Sequence, residues 1–224
     1  MAFETLLQRY DKLLIFDTET TGLDCRRDEI IQFACAVITR KDGSGQVTET
    51  YDNLVQLSPG GFVSDYITRL TGISAADLRL RGLSGARVCC DVARLAEGNT
   101  LLIAYNAQFD LTFLYYLLLR SGDPEILRGK DKLDALTVFR DRRPGPHRLE
   151  SAISAYRLGR KVKNSHRAME DVMATAAVLE AMERERDDLH RYVNLFSHSS
   201  QYGSRPIASV TYRRHVPGKP LYEA

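Results

Sequence analysis

Asp17 and Glu19 stand two residues apart at the end of the apolar run Leu13-Leu14-Ile15-Phe16. On an extended backbone, side chains at i and i+2 share a face, so the two carboxylates point the same way. With no cationic neighbour in sequence they repel each other unless a divalent cation compensates them. A solvated acidic strand end has the same pattern, and for an isolated Asp-x-Glu it is the commoner explanation. Gly22 then supplies a turn.

A second carboxylate position is Asp110, in Asn106-Ala107-Gln108-Phe109-Asp110 just past the apolar strand Leu101 to Ala104. Asn106 reads as an N-cap, which puts Asp110 in the first turns of a helix, near the positive end of its dipole. An aspartate that serves only the dipole fits that position equally well. The third segment is His166-Arg167-Ala168-Met169-Glu170-Asp171. At about 100° per residue, positions five apart differ by about 140° in direction, so His166 and Asp171 do not face one site from a regular helix. His166 therefore belongs before the helix begins. Asn164 and Ser165 are the cap candidates that start it, leaving Asp171 about one turn in. Taken alone, a loop histidine reads as a surface residue.

The elements that position these groups follow from periodicity. Leu13 to Phe16 is a short apolar run of the kind found in central strands. Ile30 to Thr39 and Gln46 to Leu57 are extended segments around the turn-rich Lys41-Asp42-Gly43-Ser44-Gly45, which predicts an antiparallel meander. Helices are expected over Ser64 to Leu70, Gly85 to Ala96, Gln108 to Arg120, His147 to Tyr156 and Ala168 to Arg186. Further strands are expected over Leu101 to Ala104 and Lys132 to Leu136. The order β-β-β-α-α-β-α-β-α-α gives an α/β mixed sheet with helices packed on its faces.

In bulk the chain is an ordinary globular protein: 224 residues, 44% apolar and 27% charged. Its net charge of +2 permits nucleic-acid binding without demonstrating it. Cys25, Cys35, Cys89 and Cys90 form no CxxC pair or zinc spacing, which fits free thiols in a reducing cytoplasm. No export signal is visible at the N-terminus. The most apolar region, Leu101 to Leu119, is interrupted by Asn106, Gln108 and Asp110, so no membrane span is expected.

FDTETTGL, NAQFD and HRAMED, in that order, resemble the three motifs of the DEDD exonuclease superfamily in its histidine-containing branch. That branch includes the proofreading epsilon subunit of bacterial DNA polymerase III, RNase T and oligoribonuclease. The likeness runs from about Leu13 to Ala181 and takes in Leu70-Thr71-Gly72-Ile73. It implies an RNase H-like fold, in which a three-stranded antiparallel meander and parallel strands make a five-stranded sheet with helices on both faces. It makes Asp17, Glu19, Asp110 and Asp171 ligands of two divalent cations, Mg2+ with Mn2+ able to substitute, and His166 the general base. Thr18, Thr20, Leu23, Asn106 and Phe109 become contacts of the terminal nucleotide, and Asp134 an acidic position behind the site. The implied activity is 3′-to-5′ removal of nucleoside 5′-monophosphates from single-stranded or frayed 3′ ends, with DNA favoured and a DNA polymerase or other replication protein as a partner. An exoribonuclease that trims RNA, and a silent nuclease-fold module that binds nucleic acid or a polymerase, are the alternatives.

Two further stretches bear on substrate. Arg140, Arg142, Arg143, His147 and Arg148 are basic enough to guide a phosphate backbone, and read equally as a solvated loop. Residues 1 to 188 are expected to form the exonuclease domain, with 189 to 224 an appendage packed on it. In the appendage Tyr192, Phe196, Tyr202, Tyr212, Arg213, Arg214 and His215 suit either packing or stacking on single strands.

Overall fold

The structure, a computed structural model, describes residues 3–162, 167–197, 207–216 and 218–224. Strands β1 (Lys12–Thr20), β2 (Ile30–Lys41), β3 (Ser44–Leu54), β4 (Thr100–Ala104) and β5 (Asp131–Asp134) form one sheet in the order β3-β2-β1-β4-β5. The first three are an antiparallel meander, and β4 and β5 run parallel to β1. The helices are α1 (Glu4–Leu7), α2 (Asp65–Thr71), α3 (Ala75–Arg81), α4 (Gly85–Leu95), α5 (Ala107–Ser121), α6 (Ala135–Arg142), α7 (Leu149–Ala155) and α8 (Ala168–Glu185). This is the α/β, RNase H-like arrangement expected. The meander turns more tightly than its sequence suggests. Lys41 pairs with Ser44, leaving only Asp42-Gly43, both at positive φ, as the connection. Such two-residue turns match the twist of the strands they join.

Alternation along β1 sorts its side chains between two cores. Leu13 and Ile15 join the cluster built by α6, α7 and α8, whereas Leu14 and Phe16 join the one built by α4 and α5. Three helices, α1, α3 and α6, lie outside the sequence reading, and the last two have a local cause. Ser74 and Asp77 form a reciprocal capping box that starts α3. The strand expected to reach Leu136 stops at Asp134, because the Asp134 carboxylate accepts the N–H groups of Leu136 and Thr137 and so begins α6.

Beyond α8, β6 (Leu195–Ser197) and β7 (Thr211–Arg213) pair in parallel. Asn194 fastens this segment to the edge of β5: its side chain accepts from the Lys132 N–H, and its own N–H donates to the Lys132 carbonyl. Lys132 is itself buried, its ammonium donating to the carbonyls of Leu127, Lys130 and Ala208, and burial lowers its pKa. Tyr192 and Phe196 are buried, one in each core cluster. Asp141 accepts from the Tyr192 hydroxyl (2.6 Å) and the Leu221 N–H (2.8 Å), and its other oxygen lies 3.1 Å from His215 Nδ1. Tyr202 lies outside the described residues. Among the described residues no helix is long and apolar enough to cross a membrane.

Truncating a buried aromatic leaves a cavity, so Phe196→Ala should cost about 3–5 kcal/mol. A urea titration should show this as a lower midpoint of one shared transition. A change below about 0.5 kcal/mol, typical of surface positions, would mean that the segment is peripheral.

Candidate active site

The alternation that separates the two cores also sets the polar end of β1. Asp17 and Glu19 continue the row of Leu13 and Ile15 toward α8, while Thr18 faces α5. Asp171 comes from the first turn of α8. One carboxylate oxygen each from Asp17, Glu19 and Asp171 can be chosen so that all three lie within 4.8 Å of one another. Asp171 is buried and the other two are partly exposed. Asp110, buried in the first turn of α5, lies beside this trio rather than in it. Its Oδ1 accepts from both the backbone N–H (3.0 Å) and the hydroxyl (2.8 Å) of Thr18.

The electrostatics show what the arrangement lacks. Burial, then the charges of Asp110, Glu19 and Asp171, push Asp17 well above the usual carboxylate range. Burial and the charges of Asp171 and Asp110 push Glu19 up to about 8. Burial also raises Asp110, against the opposing pull of its two bonds from Thr18. A hard divalent cation takes oxygen ligands of this kind, and its charge relieves the repulsion that raises these values. The donor set therefore fits a magnesium-type ion.

Two residues behind the cluster hold its pieces in place. Asp134 Oδ1 accepts from the N–H groups of Asn106 (3.0 Å), Ala107 (3.0 Å) and Leu136 (3.2 Å). Its Oδ2 accepts from the N–H (3.1 Å) and hydroxyl (2.6 Å) of Thr137. One carboxylate thus fastens the starts of α5 and α6. Asn106 was expected to cap α5; instead it adopts a left-handed conformation (φ 70°) without a side-chain cap, and Asp134 takes over that work from the neighbouring strand. Helix α8 begins at Ala168 with Arg167 at its N-cap, later than Asn164 or Ser165 would have started it. The Ala168 N–H donates to Gln32 Oε1 (3.3 Å), and Gln32 is the β2 residue paired with Glu19. Gln32 escaped notice in the sequence, where its one signal is polarity inside Ile30-Ile31-Gln32-Phe33.

The other expected site residues are distributed as follows. His166 lies outside the described residues. Leu23 is 80% exposed beside the site strand, on a loop closed so tightly that a Cβ at Gly22 would meet the Asp28 carboxylate at 2.5 Å. Thr20 donates its hydroxyl to the Gly22 carbonyl, and Thr18 commits its own to Asp110. Phe109 packs against Phe113 with ring centroids 4.7 Å apart. Of the basic stretch at the end of α6 and beyond it, Arg148 is exposed, whereas Arg142, Arg143 and His147 have local partners. Arg142 is buried against Asp188 and the Met182 carbonyl, Arg143 pairs with Glu185 (2.5 Å), and His147 Nε2 lies 2.9 Å from the Arg143 carbonyl.

A family model described as Exonuclease, of the RNase T type, matches residues 14–179, and the chain belongs to that family. Among curated relatives, a PolC-type DNA polymerase III of Clostridium perfringens is 29% identical over 172 residues, 75% of this chain and 11% of the polymerase. The corresponding enzyme of Streptococcus pyogenes is 26% identical over 204 residues, 90% of this chain and 13% of the polymerase. The chain thus spans little more than a tenth of these relatives. Of solved structures, E. coli Exonuclease I in complex with a dA16 oligonucleotide superposes with a TM-score of 0.70 at 24% identity, over 81% of this chain and 42% of that one. Exonuclease I from Methylocaldum szegediense gives 0.68 at 25% identity, with the same coverage. These likenesses extend the shared fold across most of the chain.

The raised carboxylate values carry a sign. A folded-state pKa above the unfolded one means that the native protein holds more protons, so metal-free stability falls as pH rises from about 4.5 through about 8 at Glu19. Thermal melts in chelator should show Tm declining over that window, and Glu19→Gln should flatten the decline. Added Mg2+ should raise Tm most at the alkaline end; a Tm indifferent to Mg2+ at pH 8 would contradict the reading of the cluster as a cation site.

Proposed function

We propose that the chain is a metal-dependent 3′-to-5′ exonuclease of the histidine-containing DEDD branch, acting on single-stranded or frayed 3′ ends and releasing nucleoside 5′-monophosphates. The observation that carries this is the convergence of Asp17, Glu19 and Asp171, with Asp110 alongside, from three separate elements of a chain matched by an exonuclease family. DNA is the favoured substrate. The relatives are DNA polymerases, and a fold neighbour is named for its complex with a deoxyadenosine oligonucleotide. A polymerase or another replication protein is the corresponding partner, and the cytoplasm the corresponding place of work. Residues 1 to 188 serve as the exonuclease domain and 189 to 224 as a C-terminal segment docked on it.

In this reading Asp17, Glu19, Asp110 and Asp171 hold two divalent cations, Mg2+ with Mn2+ as a substitute. When bound, these ions supply the charge neutralisation that attack on an anionic phosphodiester requires. Thr18 keeps Asp110 aimed at the cluster, and Gln32 and Asp134 fix the helices that bring in Asp171 and Asp110. His166 accepts the proton of the attacking water; an unperturbed pKa near 6.5 suits that task around neutral pH. Leu23 packs on the terminal base, with Thr20, Asn106 and Phe109 around the same nucleotide.

Incubation of single-stranded DNA, mismatched primer ends, RNA and dinucleotides in Mg2+ tests the proposal. Mononucleotides should leave the 3′ end, DNA should be degraded fastest, and a chelator should stop the reaction. Asp17→Ala and Asp171→Ala should each abolish cleavage, and His166→Ala should slow it by about 10²- to 10⁴-fold. Wild-type rates in either aspartate variant would refute the metal site. Release from the 5′ end would refute the polarity, and faster cleavage of RNA would move the protein to the exoribonuclease reading.

A further inference from the structure

The strongest segregation of charge in the chain lies between α6 and α8. From Arg148 to Arg167 the sequence holds six Lys and Arg residues and a single acid, Glu150, although the whole chain carries a net charge of only +2. Arg148, Arg157, Arg160, Lys161 and Arg167 are all exposed, and none is in an ion pair among the described residues. Elsewhere on the surface several arginines are neutralised by nearby acids, as in Arg81 with Asp77, Arg94 with Glu49 and Arg128 with Glu125.

The backbone beneath these cations is folded. The N–H groups of Lys161 and Val162 both donate to the Leu158 carbonyl, and Leu158 and Val162 pack on the core that α8 shares with β1. Arg157, Arg160 and Lys161 therefore stand on a turn whose apolar side chains face inward, and Arg167 caps the helix that presents Asp171. Cations left unpaired on one surface attract a polyanion, and Arg167, at the N-cap position four residues before Asp171, ties that surface to the helix of the carboxylate site.

We propose that Arg157, Arg160, Lys161 and Arg167 form a rail for the sugar-phosphate backbone of a single strand whose end lies in the carboxylate site. This rests on the nuclease reading for the identity of the strand. It also moves the phosphate-guiding role away from Arg142 and Arg143, which are tied into α8 and the segment after it.

The experiment measures binding of a fluorescein-labelled oligothymidylate by anisotropy across a salt series, with Ca2+ replacing Mg2+ to suppress turnover. Each phosphate contact on a single strand contributes about 0.7 to the salt slope, so a combined Arg157→Gln, Arg160→Gln, Lys161→Gln variant should bind more weakly with a slope lower by about 2. Arg157→Lys, Arg160→Lys, Lys161→Arg should restore the slope. Neutralising Arg81, Arg128 and Arg184, which are paired with acids elsewhere, should leave it as it was. The rail is overturned if the first variant keeps the wild-type slope, or if the control lowers it equally. It is also overturned if strand binding survives while binding to polyglutamate is lost, since that marks a surface for an acidic protein. Cleavage of the same strand in Mg2+ separates the two readings: cleavage with an unaltered slope sinks the rail alone, and rail-dependent binding without cleavage sinks the nuclease alone.

Discussion

Burial raises the pKa values of Asp17, Glu19 and Asp110, the charges of the cluster, Asp171 among them, raise Asp17 and Glu19 further, and a folded protein without a cation carries that unfavourable energy. Much of the architecture around the cluster can be understood as opposing it. No described residue pairs a positive charge with Asp17, Glu19 or Asp110, a pairing that would compete with a cation for the four carboxylates. They are held through the backbone of the elements they stand on: β1 in the middle of the sheet, and the first turns of α5 and α8. β1 is paired with β2 through Asp17 and Glu19 and with β4 up to Ile15, and a strand so anchored is a poor candidate for local relaxation. Repulsion that would splay a loop is thereby kept as electrostatic potential available to an incoming ion.

The fastening of the two helices shows how this is done without consuming the carboxylates. Asp134 accepts five hydrogen bonds, all from donors, at a buried position. An amide in its place would aim an NH2 group at N–H donors, so the position demands an acceptor on both sides. Burial raises the pKa of Asp134 and its hydrogen bonds oppose the rise, so the bonds to the ionised form are what keep it serviceable as an acceptor. Gln32 does the equivalent for α8. Its carbonyl takes the Ala168 N–H while its amide donates to Asp52 (2.6 Å), and being neutral it adds no charge beside Glu19.

How far the sequence discloses all this depends on whether the cause is local. The meander, the central strand and the long helices are written in runs of apolar residues with clear periods, and their ends fall within a few residues of expectation. The pairing of Asp17 with Glu19 on one face follows from the two-residue period alone. Asp110 and Asp171 were connected to them through motif order, because contacts across about a hundred residues leave no local trace. Helices α3 and α6 are short, and the capping groups that begin them compete with readings of turn and strand. The capping of α5 by Asp134 and of α8 by Gln32 depends on sheet register, which hydrophobic patterning does not specify between particular residues.

The C-terminal segment extends the same logic outward. The Ser197 N–H donates to the Thr137 hydroxyl, which itself donates to Asp134, and the Tyr212 hydroxyl donates to Gln108 in the first turn of α5. Two separate points of the segment thus reach groups that touch the carboxylate site through a single intermediate. Chains of hydrogen bonds at buried positions strengthen one another and are costly to leave half-made. Residues 195–197 and 207–213 therefore do more than cover the exposed edge of β5. They reduce the freedom of Thr137 and Gln108, and through these of Asp134 and α5, so the rigidity the carboxylates require is shared with the segment whose aromatic and basic residues suit packing or stacking alike.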